Sequence, residues 1–231
     1  MPDSADISRV ISLLEKEYGR LKWKPRLAPL DELIYTVLSQ NTSDVNSERA
    51  FKRLGDTFKS WEELAVAKEA KIEKAIKGGG LFRIKAVRLK EILRGVENDR
   101  GVLELDFLKD MPMEEGRAWL RKFPGVGPKT AACVLLFALG KPAFPVDTHV
   151  HRVARRLGLA PLKATPEQTA AILEKITPEK SMYQLHVHMV WHGRRVCHAR
   201  KPEFGNCILE QICPKIGAAE ANQKSKLKTQ K

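Results

Sequence analysis

Apolar residues recur along most of the chain at intervals of three and four positions, which is the spacing of one helix face. In residues 6–18 this face holds Ile7, Val10 and Leu14. The same spacing predicts further helices at 30–38, 44–54, 60–67, 69–77, 84–97, 114–122, 130–139, 148–157, 166–176 and 181–193. Because no segment shows the alternation typical of a strand, the pattern predicts an all-α fold.

Composition adds a strong positive charge to this picture. The 231 residues carry a net charge of +13 and are long enough for one or two domains with their own cores. An excess of this size favours an anionic partner. No apolar run approaches the length of a membrane span, and the N-terminus lacks the pattern of a secretory signal, so we expect a cytoplasmic protein.

A tight turn and the helix after it hold the most informative residues. The turn is Pro124-Gly125-Val126-Gly127-Pro128, followed directly by Lys129 and a small apolar helix. Two glycines around one apolar residue allow a sharp turn, and their amides beside a helix N-terminus can seat a phosphate. Asp147 follows eighteen residues after Lys129, in Val-Asp-Thr-His, where it can cap the next helix.

The turn, the lysine behind it and the Val-Asp-Thr-His segment together resemble the endonuclease III family of helix-hairpin-helix DNA glycosylases. The resemblance implies that Lys129 is the catalytic nucleophile and Asp147 the catalytic aspartate. From the residue types alone, a phosphate-binding Lys129 and a purely capping Asp147 remain the alternative.

The resemblance covers roughly residues 8–214 and implies two helical lobes with a DNA-binding cleft between them. One lobe is contiguous, at 26–138, with six helices and the hairpin. The other joins residues 1–25 to 139–216, which include a C-terminal cysteine loop. Residues 217–231 are polar and basic, and their composition predicts a disordered tail. By analogy with the family we expect a monomer.

Further residues are implied in binding double-stranded DNA with damaged bases or abasic sites. Asn41, with Gln40 beside it, matches the position that fills the gap left by a flipped nucleotide, and Leu81 matches the wedge that enters the base stack. The other predicted DNA-binding residues are Gly125, Val126, Gly127, His149, Arg194, Arg200 and Lys201. From composition alone, Arg83, Lys85 and Arg88 are either phosphate contacts or the wet face of a helix.

The family often ends with four cysteines that hold a [4Fe–4S] cluster, and this chain departs from that pattern. Cys197, Cys207 and Cys213 match three of the positions, but the second is Phe204, which cannot bind iron. Three interpretations stay open. The cluster is lost and Phe204 packs in its place; a three-cysteine cluster persists with Glu203, His198 or water on the fourth iron; or the cysteines bind zinc with His198.

The resulting hypothesis is a bifunctional DNA glycosylase and abasic-site lyase of base excision repair. By resemblance its substrates are oxidised pyrimidines, which it would remove through a lysine Schiff base. Two alternatives remain: a glycosylase of different base specificity on the same fold, and a non-catalytic protein that binds damaged DNA. Nothing in the sequence fixes the base pocket.

Overall fold

The computed structural model of the chain describes residues 6–218, in two compact units. Among the described residues, 24–141 form the contiguous unit, and 6–23 together with 142–218 form the split unit. The predicted tail at 219–231, with its lysines, lies outside the described residues. Gly217 and Ala218, which the prediction placed in that tail, are described, and Ala218 is only 2% exposed.

The described part of the chain is helical and has no strand, so the all-α prediction is confirmed. Most helix bounds lie within two or three residues of those expected from the apolar spacing. The α-helices are α1 (Ile7–Tyr18), α2 (Pro29–Ser39), α3 (Asp44–Thr57), α4 (Trp61–Val66), α5 (Glu69–Ile76), α6 (Phe82–Arg100), α7 (Met113–Leu120), α8 (Pro128–Cys133), α9 (Thr148–Arg156), α10 (Pro166–Ile176) and α11 (Met182–Arg195).

Side-chain caps explain where several of these helices begin. Ser43 and Ser60 accept hydrogen bonds from backbone amides in the first turns of α3 and α4. Thr165 and Gln168 form a reciprocal capping box at the start of α10. Each cap satisfies backbone donors that an unprotected helix end leaves unpaired. The sequence therefore sets these starts locally, before any packing.

The core of the contiguous unit is built around α6. This helix packs against α4 and α5 and buries Ala86, Leu89, Leu93 and Val96 completely. It is longer than the predicted 84–97, because it starts directly after Leu81 and continues to Gly101, whose positive φ of 76° ends it. Its first turn thereby carries residues that the prediction placed in a loop.

The helix after the hairpin differs from the uniform helix expected at 130–139. Regular α-helix ends at Cys133, and Val134–Ala138 form a π-helical turn. The wider turn accompanies a tertiary contact: the Phe137 carbonyl accepts a hydrogen bond of 3.1 Å from the Arg26 amide. The Arg26 guanidinium also stacks 4.5 Å from the Phe137 ring centroid. A single π turn inside a helix often marks a functional region.

In the split unit, α11 packs against both α9 and α1. The α9–α11 approach is close at Gly193, where an added Cβ would lie 2.8 Å from the His149 Cβ. Glycine at this position therefore lets α9 lie against α11, which fixes the start of α9. No helix among residues 6–218 is long and apolar enough to span a bilayer.

Candidate functional site

The hairpin turn between α7 and α8 presents an open backbone and an exposed lysine. Gly125 has a φ of 78°, a conformation that glycine adopts without strain. A Cβ added at Gly127 would meet nothing within 4 Å, so this part of the turn can be approached closely. Val126 is buried and anchors the turn, whereas Lys129, in the first turn of α8, is exposed.

Gln40, predicted to bind DNA, has partners inside the contiguous unit. Its Nε2 donates to the Gly125 carbonyl at 2.9 Å and to Thr130 Oγ1 at 3.1 Å. Its Oε1 accepts from Arg88 Nη1 at 3.4 Å, and the Arg88 side chain lies against Gly125. Gln40 thus connects the end of α2 to both sides of the hairpin turn and supports its shape.

Asn41 and Leu81 lie on neighbouring loops, and both have unusual backbone conformations. Their φ values are 51° and 59°, in the left-handed region that side chains with a Cβ rarely adopt. The loops touch at Gly80, where an added Cβ would lie 2.9 Å from the Asn41 carbonyl oxygen. Both side chains are exposed, Leu81 to 49%. Strain of this kind tends to occur at functional loops. The structure places Asn41 and Leu81 on two loops that touch, and their contact with DNA stays a prediction.

Lys85 is a supporting residue that the sequence analysis missed. The expectation that it contacts phosphates or water is wrong, because its side chain is 1% exposed and its Nζ donates to the Leu38 carbonyl at 2.6 Å. Burial lowers its pKa from 10.5 to about 8. The bond joins the start of α6, beside Leu81, to the end of α2, before Gln40 and Asn41. Lys85 occupies a position of α6 at which the helical spacing of apolar residues predicts burial, and this spacing is the signal in the sequence that indicates its role.

We expect Lys85→Met to change how stability depends on pH. Below pH 8 the lysine is protonated in both the folded and unfolded states, so the wild type carries the full cost of burying the charge. Between about pH 8 and 10.5 the folded state loses its proton first, and the wild type gains free energy of unfolding relative to the variant. Urea unfolding from pH 7 to pH 10 measures this difference, and a difference that stays constant would contradict the assignment.

Asp147, in the split unit, caps α9 and is half-buried. Its Oδ1 accepts from the amides of His149 at 2.8 Å and Val150 at 2.7 Å. These bonds hold the carboxylate at a fixed place at the helix start. His149 lies beside it, with its Nδ1 3.1 Å from Arg152 Nη2. Capping is therefore shown directly, and it does not preclude a catalytic role for the same carboxylate.

The three cysteines of the C-terminal loop line one small cavity, of about 10 Å³, with Arg156, His192 and Phe204. That volume is about the size of a single water probe. Burial raises the pKa of Cys207 to about 11 and lowers that of His192 to about 4. The thiol of Cys213 donates to the Arg156 carbonyl at 3.3 Å. Burial therefore favours the neutral forms of Cys207, Cys213 and His192 beside the Arg156 guanidinium.

These residues do not fit the four-thiolate cluster that the resemblance implies. Three sulfur donors are present, and the fourth position, Phe204, packs against the Lys215 ammonium, 4.9 Å from its ring centroid. His198, the fourth ligand considered for zinc, lies 3.4 Å from Glu203. Among residues 6–218, no three or more His, Cys, Asp or Glu side chains converge as a metal site.

Arg156 occupies the centre of the cysteine loop. It is 5% exposed and donates to the Cys197 sulfur at 3.2 Å, the His198 carbonyl at 2.7 Å and the Ala199 carbonyl at 3.2 Å. The Ile216 amide donates to its carbonyl at 3.2 Å. Arg156 therefore joins both ends of the loop to α9, one through its guanidinium and the other through its backbone carbonyl.

We expect the loop to depend on Arg156 more than on its thiols. Arg156→Met should lower the free energy of unfolding by on the order of 3 kcal/mol, because it leaves buried carbonyls unpaired. Cys207→Ser should cost about 1 kcal/mol or less if no metal is bound. Urea unfolding of both variants, with iron analysis of the same samples, checks this. Three or four irons per chain, lost in Cys207→Ser together with the fold, would contradict it.

The remaining predicted DNA contacts of the split unit are basic and exposed. Arg194 lies in the last turn of α11, and Arg200 and Lys201 lie in the turn after Cys197. Lys201 has a φ of 52°. His188 and His192, which share a helix face, are both buried, and His192 Nδ1 lies 3.0 Å from the Tyr18 hydroxyl. The two histidines are therefore internal, whereas Arg194, Arg200 and Lys201 are exposed to solvent.

The chain is similar to known DNA repair proteins in sequence and in structure. Endonuclease III from Thermotoga maritima is 40% identical over 185 residues, which cover 80% of this chain and 82% of that protein. An Arabidopsis thaliana relative named as a candidate DNA glycosylase is 41% identical over 172 residues, covering 74% of this chain but only 59% of that relative. A solved structure of a trapped covalent endonuclease III–DNA intermediate matches with a TM-score of 0.77 and 28% identity, over 94% of this chain and 97% of that one.

The family model for HhH-GPD superfamily base excision DNA repair proteins matches residues 34–179, which span the hairpin, Lys129 and Asp147. The matched region includes both the turn and the capped start of α9. The chain is therefore a member of the HhH-GPD superfamily of base excision DNA repair proteins.

Proposed function

We propose that this base excision repair glycosylase and lyase is bifunctional and removes oxidised pyrimidines from double-stranded DNA through a Schiff base on Lys129. The observation that carries the proposal is an exposed lysine in the first turn after an open hairpin, in a chain whose endonuclease III relatives include one trapped covalently on DNA. A lysine that served only to stabilise the fold would be expected to have partners within it.

In the proposed reaction, the Lys129 amine attacks C1′ of the damaged nucleotide, and the N-glycosidic bond breaks as the base leaves. The sugar ring opens to an imine with the lysine. Loss of a C2′ proton then expels the phosphate at C3′, and water releases the enzyme from the product. Asp147 takes the proton from the lysine and stabilises the positive charge that develops on the sugar.

The strained loops supply access to the base. We propose that Leu81 enters the base stack while Asn41 pairs with the base left without a partner. An amide side chain suits that task because it both donates and accepts. Inserting an apolar side chain costs a few kcal/mol of unstacking, which the contacts of the bent duplex offset. The hairpin and the cations Arg194, Arg200 and Lys201 hold the flanking phosphates.

Borohydride trapping of the full-length protein tests this function. Duplexes with a single site are compared: an abasic site, an oxidised ring-saturated pyrimidine, an alkylated purine and a mismatch. We expect a covalent adduct on the abasic and oxidised-pyrimidine duplexes. An adduct on another lesion but not on the oxidised pyrimidine would overturn the base specificity. Folded protein that binds the duplexes without forming any adduct would overturn the lyase and favour a binding role.

A further inference from the structure

A polar recess lies along one side of α9, outside the residues assigned to the reaction. Its volume is about 320 Å³. The side chains that line it include those of Thr148, His151, Arg152, Arg155, Arg156 and Ile216. Thr148, Arg152 and Arg155 are spaced by four and three positions, so they share one face of the helix. None of the described residues that line the recess is acidic.

The arginines around this recess donate mainly to uncharged carbonyls, and Asp147, the carboxylate that acts on Arg152, does not line the recess. Arg152 donates to the Gly193 carbonyl at 2.7 Å and to the Cys197 carbonyl at 2.8 Å, and Arg156 likewise donates to carbonyls. Carbonyl partners satisfy hydrogen bonds but leave the charge in place. Neighbouring cations without a carboxylate favour an anion beside them.

Arg155 has a donor without a partner. Its Nε is buried and makes no hydrogen bond within residues 6–218. A buried charged donor left unpaired costs free energy, so the Arg155 guanidinium is incompletely satisfied within the described chain. His151 Nε2 lies 2.9 Å from the Ala164 carbonyl, which fixes the orientation of its ring at the edge of the recess. The arrangement therefore combines space, uncompensated cations and one unused donor.

We propose that this recess binds a phosphate-type oxyanion, with Arg155 as its principal ligand. A guanidinium offers a planar fork of N–H donors that matches the oxygens of a phosphate. The ligand chemistry fits a backbone phosphate of DNA and equally a free phosphate. The site itself does not depend on the proposed reaction, because it holds neither Lys129 nor Asp147, although Thr148 places its upper end next to Asp147.

Inorganic phosphate is the first probe, titrated into the full-length protein at constant ionic strength with chloride as the reference anion. Calorimetry gives the affinity, and the Arg155 Nε–H resonance reports the location. We expect that resonance to shift in the wild type and Arg155→Gln to bind phosphate at least about tenfold more weakly. Arg9→Gln removes an exposed positive charge from α1 and should bind like the wild type.

A second arm identifies the source of the phosphate. The slope of DNA affinity against salt is measured on a duplex with an uncleavable abasic analogue. If the ligand is a DNA phosphate, Arg155→Gln should lower that slope by about one phosphate contact, and free phosphate should compete with DNA. If it is a free phosphate, the variant should lose phosphate binding while its DNA affinity and slope match the wild type. Either result supports the site.

Two results would overturn it. One is a wild-type Arg155 resonance that does not move at saturating phosphate; the other is an Arg155→Gln variant with wild-type phosphate affinity. Arg155→Lys keeps the positive charge but lacks the planar guanidinium, so it should bind phosphate with intermediate affinity. It replaces Arg155→Gln if that variant does not fold. These measurements read binding without cleavage. They would therefore succeed or fail independently of borohydride trapping.

Discussion

Lys129→Ala should abolish the trapped adduct on an abasic duplex and slow strand cleavage by roughly 10³-fold or more, because it removes the proposed nucleophile. The side chain is exposed, so its loss should leave the free energy of unfolding within about 0.5 kcal/mol of the wild type. Binding to a duplex with an uncleavable analogue should weaken only a few-fold, since the hairpin backbone is unchanged. Gel-based trapping and single-turnover cleavage measure the effect.

Lys109→Ala is a matched control, because Lys109 is another exposed lysine of the contiguous unit and lies outside the hairpin. It should form the adduct at the wild-type rate. If Lys129→Ala still gave the borohydride-stable adduct, another amine would be the nucleophile, and Lys129 would return to the simpler role of a phosphate contact. The hairpin would then be a binding element only.

Asp147→Asn should separate catalysis from helix capping. Asparagine is as good an N-cap as aspartate, so its side-chain oxygen can still accept from the His149 and Val150 amides. The melting temperature should therefore stay near that of the wild type. The rate of adduct formation should fall by about 10²–10⁴-fold, because an amide can neither take a proton nor stabilise a cationic sugar equally.

The comparison variant Asp147→Ala removes both functions, so it should also lose about 1 kcal/mol of stability. If Asp147→Asn formed the adduct at the wild-type rate while Asp147→Ala was slow and less stable, the carboxylate would serve only as a cap. Thermal unfolding and single-turnover kinetics on the same preparations distinguish these outcomes.

Local signals explain why the helices were predictable. The apolar period of α6 and the caps Ser43 and Thr165 are encoded within a few residues, and the structure places helices at those positions. The hairpin was recognisable for the same reason, since Gly125 is needed where φ is positive. The order of the helices and the candidate site could thus be expected before any tertiary contact was known.

Other features depend on contacts distant in sequence. The sequence does not show that the Lys85 ammonium meets the Leu38 carbonyl at the end of α2. It also does not show that the Gln40 amide bonds the hairpin turn at Gly125. The π turn after Cys133 accompanies a contact with Arg26. The orientation of Arg156 toward the cysteine loop has no sequence signature, because arginine is a common helix residue. The spacing of apolar residues predicts which face of a helix is buried, but it does not predict the hydrogen-bond partners of polar side chains on that face.

The hydrogen bonds of Gln40 bear on whether the protein or the DNA changes shape when the two bind. Gln40 ties the end of α2 to the hairpin turn through Gly125, and Asn41 follows it directly along the chain. In the proposed complex, the hairpin binds the sugar-phosphate backbone and the loop of Asn41 contacts the bases. These two parts of the protein are therefore joined by the hydrogen bonds of Gln40. If this link is kept in the complex, the DNA is the partner that changes shape. Bending and opening a duplex costs less free energy at a damaged pair than in intact DNA. The protein would therefore bind lesions more readily partly because the DNA is easier to deform there.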